Sequence, residues 1–176
     1  GSGRRRLTTD TTGFNHTPRW APDGARIAYD YSYLDDARLY TGQDELRIMQ
    51  LDGSEKTTLV TAKFVLLAWG PSAAALSLQN DGRVSLVNAD LRTTRPLVQN
   101  EPDLAVNEIA WSPDGVKIAF THSADLFCVG SDGSGLRQLT HFTSGSASAV
   151  AWSSDGEEIA FAQEGALYVV LSEGSG

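Results

Sequence analysis

The sequence predicts an all-β fold, a β-propeller of four antiparallel blades, and three observations support this prediction. A unit of four short strands recurs roughly every 40 to 50 residues, each unit carries one tryptophan, and no stretch shows helical periodicity. One such sheet cannot bury both of its faces, so the units are expected to stack around an axis as propeller blades. The tryptophans that mark the units are Trp20, Trp69, Trp111 and Trp152.

The first two strands of each unit flank a tight turn. Three segments align along their length: "TPRWAPDGARIAYD" (17–30), "NEIAWSPDGVKIAFT" (107–121) and "SAVAWSSDGEEIAFA" (148–162). A fourth copy, "FVLLAWGPSAAALSLQ" (64–79), keeps its tryptophan but lacks the Asp-Gly turn. Because Asp23, Asp114 and Asp155 recur with the repeat, they are predicted to cap turns rather than to catalyse. The tryptophans and the Ile-Ala-aromatic positions are predicted to pack between blades.

The third and fourth strands of each unit follow in the same order. The third strands are "ELRIMQLDG", "RVSLVNAD", "DLFCVGSDG" and "ALYVVLSEG", and the fourth strands are "KTTLV", "TRPLV" and "LRQLT". No fourth strand follows "ALYVVLSEG", but "SEGSG" joined to "RRRLTT" from the other end of the sequence overlays "SDGSGLRQLT". Residues 4–8 are therefore predicted to complete the last blade.

This completion allows more than one arrangement. Within one chain it gives a four-bladed ring, and in a second copy of the chain it gives an eight-bladed dimeric ring, which the width of a blade favours. A piece of a longer propeller is the third arrangement. Residues 1–176 are thus predicted to form a single propeller domain or half-domain, with approximate blade units at 9–60, 61–98, 99–140, and 141–176 together with 4–8.

Composition limits the classes of partner. The formal net charge of −8 and a pI near 4.7 disfavour nucleic acid or an anionic membrane, which need clustered Lys and Arg. No apolar run reaches the about 18 residues of a membrane-spanning helix. The only basic run, Arg4 to Arg6, is predicted to protect a sheet edge. The single cysteine, Cys128, is predicted to be a buried structural thiol.

The candidate partner-binding region is an insertion between the second and third strands of the first unit, residues 29–45. Tyr29, Tyr31 and Tyr33 alternate, so their rings are expected to share one strand face, with carboxylates in the loop beyond. Aromatic rings beside carboxylates suit a protein or peptide partner, or a cationic ligand. A strand that simply overhangs its sheet is the structural alternative.

In a propeller this insertion emerges at the same end as the connections between blades, here "TDTTGFNHT", "NEPDLAVN" and "HFTSGSASA". Glu101 and Asp103 are expected around the same channel mouth. The predicted partner-binding residues are Tyr31, Tyr33, Asp35, Asp36, Tyr40, Phe14, His16, His141 and Phe142.

Sequence motifs for catalysis are lacking. Neither Gly-x-Ser-x-Gly, HExxH, a phosphate-binding loop nor an EF-hand spacing occurs, so we expect no catalytic residue, metal or cofactor. His16 and His141 are placed in connections between blades, and His122 at a strand end. Surface histidines are the favoured interpretation of this placement. A lyase or hydrolase site in the channel is a weaker alternative, which would need His16 or His141.

At "WSPDGVKIAF" and "LFCVGSDGSGLRQLT" the sequence resembles the TolB-like (WD40-like) β-propeller repeat family, strongly in the third and fourth units and poorly in the second. The resemblance implies a non-enzymatic binding scaffold in the periplasm or outside the cell. The alternative that it implies is an accessory propeller of a prolyl-oligopeptidase-like or other hydrolase. Blade number departs from the family pattern, which usually has six or more.

Overall fold

The computed structural model describes residues 3–61, 67–73, 75–80, 83–98 and 106–174. These residues form fifteen strands in four antiparallel sheets. The all-β prediction is therefore confirmed. No helix that could cross a membrane occurs in this part of the chain.

The sheets follow one another along the chain, and consecutive strands pair within each sheet. Sheet 1 contains β1 (Gly13–Trp20), β2 (Arg26–Leu34), β3 (Tyr40–Gln50) and β4 (Thr57–Thr61). Sheet 2 contains β5 (Leu67–Trp69), β6 (Ala75–Asn80), β7 (Arg83–Asn88) and β8 (Thr93–Pro96). Sheet 3 contains β9 (Val106–Trp111), β10 (Lys117–His122), β11 (Asp125–Gly130) and β12 (Arg137–Gln138). Sheet 4 contains β13 (Ser148–Trp152), β14 (Glu158–Gln163) and β15 (Ala166–Leu171).

The Asp-Gly turns cap themselves as predicted. The Asp114 carboxylate accepts the Val116 N–H at 3.0 Å and the Ser112 hydroxyl at 2.7 Å. These hydrogen bonds, led by that of Ser112, lower the pKa of Asp114. Gly115 has φ +74°, a conformation that glycine adopts without strain. The equivalent carboxylates Asp23 and Asp155 accept the backbone N–H two residues later in the same way.

Apolar side chains fill the spaces between consecutive sheets. Ile118, Ala119 and Phe120 are fully buried, Ile118 and Phe120 against sheet 2 and Ala119 against sheet 4. The Ile-Ala-aromatic positions thus pack between blades, as predicted. Trp69, Trp111 and Trp152 join the same three cores, and Cys128 is buried. The Trp20 side chain is the exception, because it is largely exposed.

Residues 4–8 lie against sheet 1, and they are not paired with β15. Leu7 packs on the face of sheet 1 that points away from sheet 2, where it contacts the cluster of Ile27, Tyr29 and Met49. Sheet 4 therefore has three strands in this structure. Completion of the last blade, within one chain or between two, stays a prediction.

Candidate functional site

The predicted insertion is a long hairpin, formed by β2, β3 and the connecting residues 35–39. Its strands pair from Arg26 opposite Gln50 to Leu34 opposite Tyr40, whereas β4 pairs with β3 only as far as Glu45. The end of the hairpin therefore projects past β4. This geometry matches the alternative interpretation of the sequence, a strand that overhangs its sheet. The two faces of the hairpin carry different groups of side chains.

The first face carries the three tyrosines, and alternation placed them together correctly. Tyr29 and Tyr31 are almost completely buried. The Tyr31 hydroxyl is hydrogen-bonded to Thr12 at 2.8 Å, and the Tyr33 hydroxyl donates to Glu45 at 2.8 Å. Tyr31, although predicted to bind a partner, is therefore covered by the chain's own N-terminal residues, and Tyr33 is half-buried.

The Arg47 guanidinium lies among the side chains of this face and pairs with its carboxylates. Its guanidinium carbon lies 3.6 Å from the centre of the Tyr31 ring, and its Nε donates to Glu45 at 2.7 Å. Burial alone would raise the pKa of Glu45, but hydrogen bonds from Arg47, Tyr33 and Thr58 outweigh burial and lower it. Asp10 adds a second carboxylate 3.5 Å from Arg47. The charged groups of this face are thus paired with one another and little surface is free, while the Tyr29 hydroxyl is buried without a hydrogen-bond partner.

The opposite face carries a hydrogen-bonded chain of polar groups. His16 lies within β1, opposite Asp30, and not in a connection as the sequence suggested, because β1 begins at Gly13. The His16 Nε2 is 2.7 Å from the Ser32 hydroxyl, which donates to Asp44 at 2.6 Å. The Tyr40 hydroxyl donates to the other oxygen of Asp44 at 2.6 Å. Tyr40 is therefore fixed to the body of the hairpin.

Asp30 lies at the buried end of this chain. It accepts the Thr17 hydroxyl, and one of its oxygens is 3.7 Å from the Nδ1 of His16. Its other oxygen is buried without a hydrogen-bond partner. Burial raises the pKa of Asp30 above the ordinary value of 3.8.

Ser32, His16 and Asp30 follow the order of a nucleophile, a base and a carboxylate, but their geometry does not favour acyl transfer. The distance from His16 to Asp30 is longer than a hydrogen bond. The Asp44 carboxylate beside the Ser32 hydroxyl would repel the negative charge that develops on an attacked carbonyl. The arrangement suits a brace for the hairpin better than a nucleophile.

The residues left accessible lie at the end of the hairpin and on the adjoining strand. Phe14, Leu39 and Tyr40 are 60%, 65% and 51% exposed. Asp35 accepts the Leu39 N–H at 2.8 Å and so orders the turn, next to exposed Asp36. We call these five residues, Phe14, Asp35, Asp36, Leu39 and Tyr40, the hairpin surface.

Register places Phe14 and Tyr40 on one side of sheet 1. Phe14 lies opposite Ser32, and Tyr40 lies opposite Leu34, two residues further along the same strand. Sequence reasoning found four of the five members of the hairpin surface. It missed Leu39, which no repeat pattern marks, and only its place beside the two aspartates could have suggested it.

His141 and Phe142 lie elsewhere, in the connection from sheet 3 to sheet 4. His141 is exposed, whereas the half-buried Phe142 ring packs 5.9 Å from Phe161. The Phe142 N–H donates to Asp125 at 2.8 Å. No contact between described residues brings this pair to the hairpin surface, so Phe142 serves the core between sheets 3 and 4. The predicted Glu101 and Asp103 lie outside the described residues.

Within the described ranges, no group of three or more His, Cys, Asp or Glu side chains could hold a metal ion. Most of the carboxylates along the hairpin instead bind side chains of the same sheet or of the N-terminal residues, as Asp10 and Glu45 bind Arg47 and Asp44 binds Ser32. They position side chains, which is the chemistry expected of a contact surface.

Comparisons with known proteins identify the fold. No protein-family model matches the chain, and no curated protein matches it. Among solved structures, the chain is similar to a putative TolB from Agrobacterium tumefaciens, with a TM-score of 0.57, 14% identity, and coverage of 94% of this chain and 80% of that one. It is also similar to an oligogalacturonate lyase in complex with manganese, with a TM-score of 0.65, 15% identity, and coverage of 89% and 47%.

Both structures are TolB-like β-propellers, and the chain has this fold. The resemblance of the "WSPDG" repeats to this class is therefore confirmed at the level of the fold. The chain spans about half the length of the lyase.

Proposed function

We propose that the chain is a non-enzymatic propeller scaffold that binds a protein or peptide partner through the hairpin surface. One observation supports this proposal above the others. Three large apolar side chains are exposed, Leu39 and Tyr40 on the hairpin and Phe14 on the adjoining β1, and side-chain hydrogen bonds from Ser32 and Tyr40 to Asp44 brace the hairpin.

Bracing matters because ordering a side chain on binding costs free energy. The Tyr40 ring is already held by Asp44, and Asp44 is held by Ser32, so little conformational freedom remains to be lost. Aromatic rings fixed in this way are the usual anchors of protein interfaces. The hairpin therefore offers preorganised apolar contacts.

Charge selects the kind of partner. Asp35 and Asp36 border the apolar side chains and outnumber Arg38, the cation of the same turn, and the chain as a whole carries a net charge of −8. A segment with lysine or arginine beside an apolar residue would satisfy both features of the hairpin surface. Rim charges of this kind act mainly on the association rate, so binding should weaken as salt increases.

The experiment is selection of a displayed random-peptide library on the immobilised chain, followed by calorimetric titration of the selected peptides. We expect lysine-rich or arginine-rich peptides, whose affinity falls at least 10-fold in the variant Phe14→Ser with Tyr40→Ser. Val116→Ser is the matched control, because Val116 is equally exposed but lies in the β9–β10 turn. Peptides that bind both variants as tightly as the parent chain would place the binding surface elsewhere and refute the proposal.

The non-enzymatic part has its own test, suggested by the lyase of similar fold. Incubation with oligogalacturonate and manganese is expected to leave the substrate intact, as followed by chromatography. Cleavage that disappears in a His16→Ala variant would contradict this part of the proposal and would support a channel active site.

A further inference from the structure

We propose that the open edge of sheet 4 binds a second copy of this chain, whose residues 4–8 add a fourth strand beside β15. The inference does not depend on the hairpin surface. It rests on contacts that recur between consecutive sheets. At sheet 1 and at sheet 4, the described residues supply only one of the two sides of these contacts.

Sheet 4 exposes side chains that are buried at equivalent positions of the other sheets. Leu167 is 83% exposed, whereas its equivalent Leu126 in sheet 3 is fully buried. Val169 is 61% exposed, whereas its equivalent Cys128 is 4% exposed. An exposed apolar row beside an unpaired strand is a binding surface or an aggregation hazard. What covers this row in sheet 3 is sheet 4 together with β12.

Residues 4–8 lie on sheet 1 where the fourth strand of a preceding sheet would lie. Arg5 donates to the carbonyl of Leu51, which directly follows β3, just as Arg95 of β8 donates to the equivalent carbonyl of Ser131, which directly follows β11. Arg137 of β12 donates to the Glu173 carbonyl after β15 at 2.7 Å, which is one residue beyond the position equivalent to Ser131. The same contact thus occurs at residues 4–8 and at β8, and β12 makes a variant of it that is shifted by one residue.

Leucine contacts repeat with the same spacing. The Leu7 carbonyl oxygen lies 2.8 Å from where a Cβ on Gly53 would be, and the Leu97 carbonyl oxygen lies 2.6 Å from the corresponding point on Gly133. Leu97 directly follows β8, the fourth strand of the sheet preceding sheet 3. Residues 4–8 are therefore seated on sheet 1 as the fourth strand of a preceding sheet would be.

The exposed Trp20 side chain supports the presence of a preceding sheet. The indole N–H of Trp69 donates to the Arg19 carbonyl at 3.2 Å, and that of Trp152 donates to the Ala110 carbonyl at 3.0 Å. These two tryptophans thus bind the inner strand of the sheet before their own, whereas the Trp111 indole donates at 3.3 Å to the hydroxyl of Ser77, on the second strand of sheet 2. Trp20 is 61% exposed, and no described hydrogen bond reaches its indole. By the same rule its acceptor would be the partner subunit's Ala151.

The incomplete contacts of sheet 1 and of sheet 4 are complementary to each other. Among the described residues, residues 4–8 and Trp20 of sheet 1 have no preceding sheet beside them, and sheet 4 has neither a fourth strand nor a following sheet. The register of β11 and β12, in which Phe127 lies opposite Gln138, places Tyr168 opposite Arg6 of the partner subunit. Two identical junctions related by a twofold axis would close a ring of eight sheets.

Closure within one chain is less consistent with the contacts. Each hydrophobic cluster of described residues joins consecutive sheets, from sheet 1 to sheet 4, or places Leu7 on sheet 1. None of these clusters joins sheet 4 to sheet 1. A second copy can supply the missing sheet without moving residues 4–8 from their observed position.

The first test is the mass in solution by light scattering coupled to size exclusion, across a dilution series. We expect about twice 18.9 kDa for the parent chain and 18.9 kDa for Leu167→Asp, with unchanged circular dichroism. Leu91→Asp is the matched control, because Leu91 is equally exposed but lies between β7 and β8, and it should keep the double mass. A parent mass of 18.9 kDa at every concentration overturns the proposal, and so does a dimer that survives Leu167→Asp.

The second test fixes the register. Chains with Arg6→Cys are mixed with chains carrying Tyr168→Cys and oxidised, and we expect a disulfide-linked heterodimer, because directly opposed strand residues lie within disulfide reach. Mixing Arg6→Cys with Leu91→Cys is the control and should give no such product. A crosslink that forms only when both cysteines are on one chain would show closure within the chain and overturn the proposal.

Discussion

Arg47 places its guanidinium 3.6 Å from the centre of the Tyr31 ring, so that a permanent cation and a buried aromatic ring form the middle of the long hairpin. The pair explains why Tyr31 is unavailable to a partner. It also fixes the hairpin, because Glu45 and Asp10 hold the same guanidinium from two other directions.

Arg47→Lys tests this cluster. Lysine keeps the charge but loses the planar group that stacks on Tyr31 while donating to Glu45. We expect a loss of about 1–2 kcal/mol in the free energy of unfolding, measured by urea titration. Arg92→Lys, at an exposed position, is the control and should change stability by less than about 0.5 kcal/mol. Equal effects of the two substitutions would show that only the charge of Arg47 matters.

The fold could be predicted from the sequence because its signals are local. An Asp-Gly pair such as Asp114-Gly115 specifies a tight turn by itself. The alternation of apolar and polar residues along a strand specifies which side chains share a face. The boundaries of β1 could not be predicted in this way. Residues 13–16 are a glycine, a phenylalanine and two polar residues with no apolar alternation, and the long β2 supplies the hydrogen-bonding partners that make them a strand.

The candidate site was predictable in part, for a different physical reason. Alternation grouped Tyr29, Tyr31 and Tyr33 correctly, but it does not tell which face is covered by a distant segment. Leu7 and Thr12 cover Tyr31 through tertiary contacts that leave no trace in the local pattern. Tyr40 and Phe14 remain exposed because sheet 1 extends furthest at that end.

Glu45→Gln is expected to lower stability in a manner that depends on pH. The pKa of Glu45 is lowered below its ordinary value of 4.5, so its ionised form stabilises the folded chain above that pH, and this contribution is lost as the pH falls through the folded pKa. At neutral pH we expect a loss of about 1–2 kcal/mol. Urea titrations at several pH values should show the difference shrinking towards zero in acid. A constant difference would mean that the glutamate is not ionised in the cluster.

Asp30→Asn is expected to show the opposite dependence. Burial raises the pKa of Asp30 above 3.8, so the contribution of this residue is most favourable below that pH and is lost as the pH rises through the folded pKa. The neutral amide avoids the cost of burying a charge, and its oxygen can still accept from Thr17. We expect the variant to gain about 1 kcal/mol over the parent chain at neutral pH and nothing at pH 3. A loss at neutral pH would show that His16 compensates the Asp30 charge.

Gly53→Ala should release residues 4–8 from sheet 1. Gly53 has φ +87°, and a Cβ there would lie 2.8 Å from the Leu7 carbonyl oxygen. Gly24→Ala is the matched control, since Gly24 has φ +68° but nothing lies within 4 Å of its added Cβ. Both substitutions should cost about 1 kcal/mol through the backbone alone.

Only Gly53→Ala should displace the N-terminal segment from sheet 1. The added Cβ would clash with the Leu7 backbone, which cannot rotate away as a side chain could. Trypsin should therefore cleave after Arg4, Arg5 or Arg6 several-fold faster in Gly53→Ala than in Gly24→Ala, as followed by mass spectrometry. A release of this kind would also reduce the double mass expected for the parent chain. If both variants were cleaved at the same rate, Leu7 would not be held by its approach to Gly53, and the equivalence of residues 4–8 with β8 would lose its main support.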